Sequence, residues 1–424
     1  MKEKLVDRET RGTTRREFLQ RSGLAVAGAA LIPNLFISGE SRAQGSDMEQ
    51  SSSKKIRMAI VGGGFGANFH WHLDPNCIVE AVSDLREDRR KRLMDVYKCS
   101  KSYNSLEELI KDPKIDAVAV FTGPPDHVRH AVACMKAGKH VISAVPACVS
   151  MDEAEELLAM QKKTGLTYMM AETSYYRPVM ISAREFLKEG KFGDIYYTEA
   201  EYHHHHDVGT IKGLWFGPNG ERTWRWAFPP MLYPTHATAY LIGVTNERLV
   251  EVTCNGWGDD DPAIKGNTYK NPFWNETALF RTDKGNTFRV SVNWKGAFGS
   301  CERGQWYGSK MSLFDYTANG MGPVIRRSNG TTEADAAGFA QGGAEREDYQ
   351  PPDYAKLLLP ESMRVGGGHG GSEPMLTHEF IDALVHDRKP AVDIYSALAM
   401  TVPGIIAHQS ALKGGKQMKV PNLG

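Results

Sequence analysis

A tyrosine and a histidine stand three residues apart in the sequence YPTH, residues 233–236. On a turn of helix this spacing puts both side chains on one face, so the Tyr233 phenol and the His236 imidazole could pass a proton to or from a substrate hydroxyl. A third candidate, His369, lies in the glycine-dense stretch 365–371. We predict that all three are acids, bases or substrate contacts. A buried Tyr–His pair and a flexible surface loop are the structural alternatives.

An aromatic and cationic group is formed by Trp224, Arg225 and Trp226. Indole rings stack on apolar ring faces and a guanidinium donates several hydrogen bonds, which is the usual equipment for holding a pyranose. Tryptophans of the core are the alternative.

Four consecutive histidines, residues 203–206, suggest a metal site. On a strand, however, alternate side chains point to opposite faces and cannot all reach one ion. No carboxylate cluster accompanies them, so we predict a solvated strand end and no bound metal.

A glycine-rich turn with the spacing G-x-G-x-x-A follows the apolar run 55–61. Gly62 would permit the tight turn, Gly64 would let the backbone approach a pyrophosphate, and Ala67 would let a following helix pack on the sheet with its amides facing the anion. Asp84 ends a second apolar run 22 residues after Gly62, where a ribose-binding carboxylate is expected. The pattern favours NAD over NADP; a strand-end turn residue is the alternative for Asp84.

Two kinds of sequence pattern predict the elements that position these residues. In the first half, apolar runs alternate with helical stretches, which predicts a doubly wound parallel sheet. In the second half, alternating β-branched and aromatic segments predict one antiparallel sheet. Residues 318–365 show little periodicity and are predicted to be a long excursion near the site. The predicted strands are 78–84, 115–121, 140–143, 195–202, 249–254, 276–281, 287–294 and 310–316, and a helix is predicted over 87–97.

Composition excludes several classes of protein. The 424-residue chain carries 51 basic and 51 acidic side chains, a balance that argues against a nucleic-acid-binding surface. Its six cysteines show no CxxC spacing, which argues against a disulfide scaffold or zinc ribbon.

The N-terminus has the pattern of an export signal. Residues 14–19 read TRREFL, the mostly apolar run 24–37 follows, and small residues precede a cleavage point after Ala43. The apolar run is interrupted by Gly28 and Pro33 and is short for a bilayer, so a membrane anchor is the weaker reading, as is a chance amphipathic start. We expect the twin-arginine machinery to carry the folded protein to the periplasm or beyond.

The order of motifs resembles the Gfo/Idh/MocA oxidoreductase family from residue 55 to the C-terminus. The resemblance is carried by the glycine motif with His70, by Asp84, by the PPDH turn at 124–127 and by the AGKHV step at 137–141. It implies an N-terminal Rossmann domain and a C-terminal α+β domain with a large, mostly antiparallel sheet, which commonly packs against another subunit. The implied segments are a signal peptide (1–43), a linker (44–55), an NAD-binding domain (56–173) and a substrate and oligomerisation domain (174–424).

One departure separates this chain from the family's dehydrogenases. Those usually carry Glu-Lys-Pro after the strand that corresponds to 140–143, whereas residues 144–146 here read AVP, and Val145 cannot titrate. Leu232 likewise stands where an aspartate often precedes the second-domain histidine. The chain is more similar to NAD-dependent glycosidases of the α-N-acetylgalactosaminidase type, which it matches in the YPTH and GHGG sequences. It differs from them in having Ala144 in place of an acid and in lacking a glycine-proline pair after YPTH.

The resemblance extends the set of candidate site residues. Expected cofactor-binding residues are Gly62, Gly64, Phe65, Gly66, Asp84, Pro124, Pro125, Asp126, His127, Ala144, Val145 and Thr173. Expected substrate-binding residues are Tyr176, Tyr202, Trp224, Arg225, Tyr233, Pro234, Thr235 and His236.

Three functions remain open on the sequence. An exported enzyme would keep one NAD for its lifetime, which favours redox-neutral cleavage of a glycosidic bond in a carbohydrate, by hydride transfer at a ring carbinol. The alternatives are a sugar oxidoreductase and a non-catalytic sugar-binding protein. A homo-oligomer is expected by analogy with the family.

Overall fold

The computed structural model describes residues 54–204, 214–217, 219–258, 261–296, 301–316, 321–334 and 340–424, without the side chains of 329–334 and 340–342. The predicted signal segment, most of the predicted linker, His205 and His206 lie outside these ranges. Within them, no helix is long and apolar enough to cross a membrane.

A six-stranded parallel sheet forms the first layer, in the order β3-β2-β1-β4-β5-β6. Of its two central strands, β4 is buried along its whole length and β1 is buried except at Arg57, which explains their largely apolar sequences. The chain order reverses between β1 and β4, and in such sheets a ligand lies beyond the carboxyl ends of the strands at that point. The strands are β1 (Ile56–Val61), β2 (Cys77–Ser83), β3 (Ser102–Tyr103), β4 (Ala117–Val120), β5 (His140–Ser143) and β6 (Tyr168–Met170).

Four helices follow these strands, and their ends carry the expected signals. Ser150 caps one of them by accepting a hydrogen bond from the Glu153 amide, and Gly165 ends it in the left-handed conformation. The helices are α1 (Glu87–Tyr97), α2 (Leu106–Leu109), α3 (His127–Lys136) and α4 (Met151–Thr164).

A nine-stranded sheet forms the second part, in the order β14-β13-β12-β11-β7-β10-β9-β8-β15. Only the β7–β10 pair is parallel among the pairings described, so the predicted fold class is confirmed. The strands are β7 (Ile195–His203), β8 (Leu249–Trp257), β9 (Asn275–Thr282), β10 (Thr287–Asn293), β11 (Cys301–Gly308), β12 (Met311–Phe314), β13 (Val324–Ala334), β14 (Ala340–Asp348) and β15 (Met418–Lys419).

The irregular excursion predicted for residues 318–365 is partly wrong. It contains the β13–β14 hairpin, which extends one edge of the sheet. Val324 and Ile325 of β13 are buried, but the other described side chains of β13 and β14 are exposed or half-buried and lack the apolar alternation of a half-buried strand, so the sequence pattern did not indicate these strands.

Five further helices follow β6 in the described part of the chain. One of them, over Thr235–Thr245, packs on the sheet: the Trp306 indole of β11 donates to the Tyr240 carbonyl. The helices are α5 (Pro178–Lys188), α6 (Thr235–Thr245), α7 (Tyr354–Leu358), α8 (Gly368–Val385) and α9 (Ile394–Leu412), with short 3₁₀ helices at Phe65–Asn68, Trp71–Leu73, Pro124–Asp126, Pro230–Leu232, Pro262–Ile264 and Glu361–Met363.

The helix predicted directly after the glycine-rich turn is absent. Residues 62–76 form only two 3₁₀ turns, because this segment is too short for several helical turns and a return to β2. Helix α8, from the far end of the chain, covers this face: Phe380 and Leu384 share an apolar cluster with Met58 of β1. The domain boundary at 173/174 stays a prediction, and α8 shows that the first sheet's core is not built from residues 56–173 alone.

Candidate active site

The glycine-rich turn has the shape that a dinucleotide requires. Gly62 has φ +102°, and a Cβ there would lie 2.2 Å from the Phe121 carbonyl oxygen, so only glycine fits. A Cβ at Gly64 would meet no protein atom closer than the Arg89 guanidinium, at 3.9 Å, so this surface is open to a pyrophosphate. Asp84 lies beside the turn and accepts a hydrogen bond from the Gly63 amide at 2.7 Å. These residues fit NAD.

Seven further predicted cofactor residues lie in three places: on the glycine-rich turn, after β5 and after β4. The Phe65 ring lies on the turn, 5.6 Å from the His369 ring, while Gly66 is packed under it, against Phe121 and Ile60. Ala144 and Val145 are buried at the end of β5. Pro124, Pro125 and Asp126 form the 3₁₀ turn after β4, and Asp126 is paired with Arg129.

His127 has a structural position. It is completely buried, with Nδ1 2.7 Å from the Pro146 carbonyl and Nε2 2.9 Å from the Thr122 carbonyl. Burial lowers its pKa, although both carbonyls oppose this shift; the neutral ring donates to one of the two carbonyls, and the ring lies between the turn after β4 and the loop after β5. Both ring nitrogens are thereby occupied, which argues against the predicted contact with the cofactor.

The three predicted catalytic residues lie together. The ring centroids of Tyr233 and His236 are 5.4 Å apart, and those of His236 and His369 are 6.5 Å apart with nearly parallel planes. Tyr233 precedes α6 and has non-helical φ and ψ, so the proximity comes from the turn into the helix and not from a shared helical face. His236 is buried, whereas Tyr233 and His369 are partly exposed.

Aromatic rings surround Tyr233. The rings of Tyr202 and Trp224 stack with it at centroid distances of 5.8 and 6.3 Å, and the Trp294 ring lies 6.1 Å away. The Arg225 guanidinium lies over the Trp224 ring, at 4.3 Å. Trp224 also packs on Gly123, beside the turn after β4, so the aromatic platform adjoins the first sheet.

Three predicted substrate residues, Tyr176, Pro234 and Thr235, are not part of the aromatic stack described around Tyr233. Tyr176 packs against Tyr175 and near Arg184. Pro234 packs so closely on α9 that a Cβ at Gly404 would lie 2.5 Å from its ring. Thr235 is fully buried, and its hydroxyl has no hydrogen-bond partner among the described groups.

A buried carboxylate holds His236. Glu172, directly after β6, places Oε1 2.8 Å from His236 Nδ1, and Thr173 Oγ1 lies 3.4 Å from the same nitrogen. Burial by itself would lower the pKa of His236, but the Glu172 and Glu302 carboxylates outweigh it and leave the pKa raised. The buried carboxylates therefore favour the protonated form of His236, so the ring is a stronger proton acceptor than an isolated imidazole in the same apolar environment.

A second buried carboxylate lies on β11. Glu302 Oε2 pairs with Arg177 at 2.9 Å and accepts a hydrogen bond from the Ser174 hydroxyl at 2.9 Å. Burial opposes its ionisation, but His236, Arg177 and His369 together lower its pKa. Ser174 Oγ also lies 3.1 Å from the His236 carbonyl oxygen, so its single proton is placed between these two acceptors and links β11 to the start of α6.

His369 is held by a third carboxylate. Glu373, nearly completely buried, accepts from His369 Nδ1 at 3.0 Å and from the Gly368 amide at 2.7 Å. His369, Gly370 and Gly371 all have positive φ, so the chain winds tightly round this carboxylate before α8 continues.

Sequence reasoning missed these acids. Glu172 was visible only as a polar residue after a strand, and Glu373 only as the residue four positions beyond His369. Glu302 gave no signal, because strand β11 alternates only Gly304 and Trp306 toward the core.

One group among the described residues has metal-ligand types: Glu201, His203 and Cys301, with ligand atoms within 4.8 Å of one another. Both Glu201 oxygens already pair with guanidinium groups, of Arg289 and Arg303. Two neighbouring cations disfavour a further positive ion.

Comparison with known proteins identifies both ends of the chain. Residues 56–172 match the oxidoreductase family, NAD-binding Rossmann fold. Residues 332–424 match the C-terminal domain of glycosyl hydrolase 109. The resemblance predicted from the sequence is confirmed, and the first domain is an NAD-binding Rossmann domain.

Two relatives that align over nearly their full length are described as glycosyl hydrolase family 109 proteins. A glycosyl hydrolase family 109 protein of Solibacter usitatus is 25% identical, covering 97% of both chains. Protein 2 of that family from Akkermansia muciniphila is 24% identical over 97% of this chain and 96% of its own length. A mouse trans-1,2-dihydrobenzene-1,2-diol dehydrogenase is 32% identical over 35% of this chain and 46% of its own.

Solved structures share the fold. Levoglucosan dehydrogenase, in complex with NADH and L-sorbose, superposes with a TM-score of 0.71 at 17% identity, covering 87% of this chain and all of that one. An NAD-binding oxidoreductase from Klebsiella pneumoniae gives 0.67 at 16% identity, covering 87% and 99%.

Proposed function

We propose that this chain, an enzyme with an oxidoreductase-family NAD-binding domain and a glycosyl hydrolase 109 C-terminal domain, cleaves a glycosidic bond without net oxidation of its sugar. The observation that carries the proposal is the convergence of Tyr233, His236 and His369, the last of which lies 5.6 Å from Phe65 of the glycine-rich turn. Such a cycle requires several proton-carrying side chains within reach of the sugar while the cofactor exchanges a hydride with it. The full-length likeness to glycosyl hydrolase family 109 proteins supports it.

The chemistry that NAD would supply when bound is reversible hydride transfer: oxidation of a ring carbinol to a ketone makes the neighbouring C–H acidic enough for the glycosidic substituent to be eliminated, and the hydride returns after water has added. The residues of the glycine-rich turn and Asp84 would hold NAD: the turn would contact the pyrophosphate and Asp84 would contact the ribose.

The chain's own residues move the protons. His236, held at Nδ1 by Glu172, would accept the proton of the reacting hydroxyl. Tyr233 would hydrogen-bond the same oxygen, since burial raises the phenol's pKa and keeps it protonated. His369 would handle the proton of the neighbouring carbon or of the leaving group.

An ordinary two-carboxylate glycosidase mechanism fits these residues poorly. That mechanism needs one acid and one base or nucleophile on either side of the bond. Here Glu172 holds His236 and Glu302 is paired with Arg177, so both carboxylates are engaged with the protein.

The test uses protein purified without added NAD. It is incubated with chromogenic α- and β-glycosides while aglycone release and reduced-nicotinamide absorbance are recorded together. Many turnovers without lasting reduction are expected. Stoichiometric reduction that stalls until a carbonyl compound is added would instead identify a sugar oxidoreductase, and no signal in either channel would favour a binding protein.

We also propose export by the twin-arginine route. The TRREFL sequence at 14–19 supports it, as do the six cysteines, which are all free in the structure and need no oxidising compartment to fold. Replacing Arg15 and Arg16 by lysine should leave the protein in the cytoplasmic fraction, with an uncleaved N-terminus.

We propose a homo-oligomer formed through the second sheet. Trp257 and Leu279 lie on one face of the neighbouring strands β8 and β9 and are 60% and 52% exposed. Large apolar side chains on an open sheet face are typical of interfaces. Light scattering should give a multiple of the chain mass, and Trp257→Glu should reduce it.

A further inference from the structure

Two histidines of the site are anchored in the same way. His236 Nδ1 lies 2.8 Å from Glu172 Oε1, and His369 Nδ1 lies 3.0 Å from Glu373 Oε1. Both carboxylates are 2% exposed or less. No described group hydrogen-bonds the Nε2 atom of either ring, so in each case the protein occupies one nitrogen only.

The backbone around each carboxylate serves this contact. Glu172 Oε1 also accepts from the Ser174 amide, while Oε2 is buried with no partner among the described groups. A buried acceptor without a partner is unfavourable, and such a cost is kept where a group has a function.

The second carboxylate imposes strain. Winding round Glu373 requires φ +53° at His369, a left-handed conformation that is unfavourable for a non-glycine residue. A Cβ at Gly368 would lie 2.6 Å from Glu373 Oε1, so only glycine allows the approach. Strain of this kind is retained where the surroundings fix a functional side chain.

We propose that Glu172 and Glu373 are paired positioning residues, each holding the Nδ1–H of its histidine so that the Nε2 atoms of His236 and His369 are the proton-accepting atoms offered to a bound sugar. A neutral imidazole has one N–H, and a carboxylate at Nδ1 keeps that proton there and leaves the Nε2 lone pair free. The tautomer assignment stands on geometry; the use of Nε2 on a sugar rests on the proposed function.

The first test measures tautomers without any substrate. In protein labelled with ¹³C,¹⁵N-histidine, at a pH where both rings are neutral, the Cδ2 shifts of His236 and His369 should report the Nδ1–H form; the two signals are assigned by His236→Asn and His369→Asn. Nε2–H forms in the wild-type protein would overturn the proposal, and this result needs no carboxylate variant to fold.

The second test uses matched variants. Glu172→Gln should abolish the preference for Nδ1–H at His236 only, and Glu373→Gln at His369 only, because an amide can present either its oxygen or its NH₂ to the ring. The control is Asp74→Asn. Asp74 is a buried carboxylate that lies 2.8 Å from Nδ1 of His378, a histidine on α8 as His369 is, but outside the site. Unchanged tautomers in both Glu variants would contradict the assignment.

Kinetics separates this inference from the proposed function. With a glycoside that the wild type cleaves, either Glu variant should lower kcat by about 10²-fold while KM changes by less than about threefold and NAD is retained. Asp74→Asn should leave kcat unchanged. If no glycoside is cleaved, the proposed function fails and the tautomer measurement still decides the roles of Glu172 and Glu373. Normal kcat in both Glu variants would refute those roles.

Discussion

His236 and His369 lie face to face with ring centroids 6.5 Å apart and planes 19° apart. The first belongs to α6 beside the second sheet, and the second to the start of α8, whose later turns cover the first sheet. Because α8 stands where the helix after β1 would otherwise pack, the same segment supports the cofactor half and delivers an imidazole to the substrate half. This relationship makes the C-terminal segment part of the active site.

The Tyr233 hydroxyl is expected to be needed for turnover and not for cofactor binding. Tyr233→Phe removes only that hydroxyl, because the aromatic stack with Tyr202 and Trp224 is preserved. Turnover of a cleaved glycoside should fall by about 10²-fold or more. The measurement is kcat together with NAD content after gel filtration, and Tyr168→Phe, a buried phenol paired with Ser143, is the control. Unchanged turnover would remove Tyr233 from the mechanism.

Gly62 and Gly64 should fail in different ways when replaced by alanine. Gly62→Ala should lower the free energy of unfolding by about 2 kcal/mol or more, because its Cβ would collide with the Phe121 carbonyl at a positive φ. Gly64 has φ −75° and open space around its Cβ position, so the Gly64→Ala variant should fold normally. Its new methyl group would occupy the surface left open for the pyrophosphate, and NAD binding should weaken by about tenfold. Denaturant unfolding and NAD titration of both variants distinguish the two effects; normal NAD affinity in Gly64→Ala would contradict the pyrophosphate assignment.

Short-range spacing located much of this site from the sequence. The glycine turn and Asp84 depend on local geometry that the adjacent parallel strands β1 and β2 impose, and the structure places them side by side. The YPTH sequence likewise located Tyr233 and His236, although a turn and not a shared helical face brings them together. Both cases succeed because the interacting residues are neighbours along the chain or across one strand pair.

The failures have a common physical cause in long-range packing. Nothing between Gly62 and β2 indicates that α8 replaces the missing helix, since that contact joins residues about 300 positions apart. Glu302 was invisible because strand β11 has few inward-facing apolar residues to mark it. His127 looked like a cofactor ligand by motif, yet two backbone carbonyls occupy both its nitrogens.

Breaking the Glu302–Arg177 pair should destabilise the fold. Glu302→Gln leaves the Arg177 guanidinium, whose side chain is 19% exposed, without its carboxylate partner; breaking a fully buried pair costs about 3–5 kcal/mol, so a smaller loss is expected here. Arg177→Met alone should also destabilise, whereas the double variant should lose clearly less than the sum of the two. A double-mutant cycle in urea measures this coupling. Additive losses would show that the two side chains do not act as a pair.

Protonation of His236 should make stability depend on pH. Its folded-state pKa is raised above the ordinary value of 6.5, so the folded protein holds the proton more tightly than the unfolded chain does. The resulting stabilisation is complete below the unfolded pKa and is lost as pH rises through the folded one.

The charged and titratable groups around this ring come from several elements, so the effect must be isolated by variants. They are Glu172 after β6, Arg177 before α5, Tyr202 and His204 at the end of β7, Tyr233 before α6, Glu302 on β11 and His369 on α8. The difference in unfolding free energy between wild type and His236→Asn, measured from about pH 5 to about pH 9, should therefore shrink as pH rises. Glu172→Gln should flatten that dependence, because it removes the carboxylate that favours the protonated ring. A difference that stays constant across the range would mean that His236 binds its proton equally in both states.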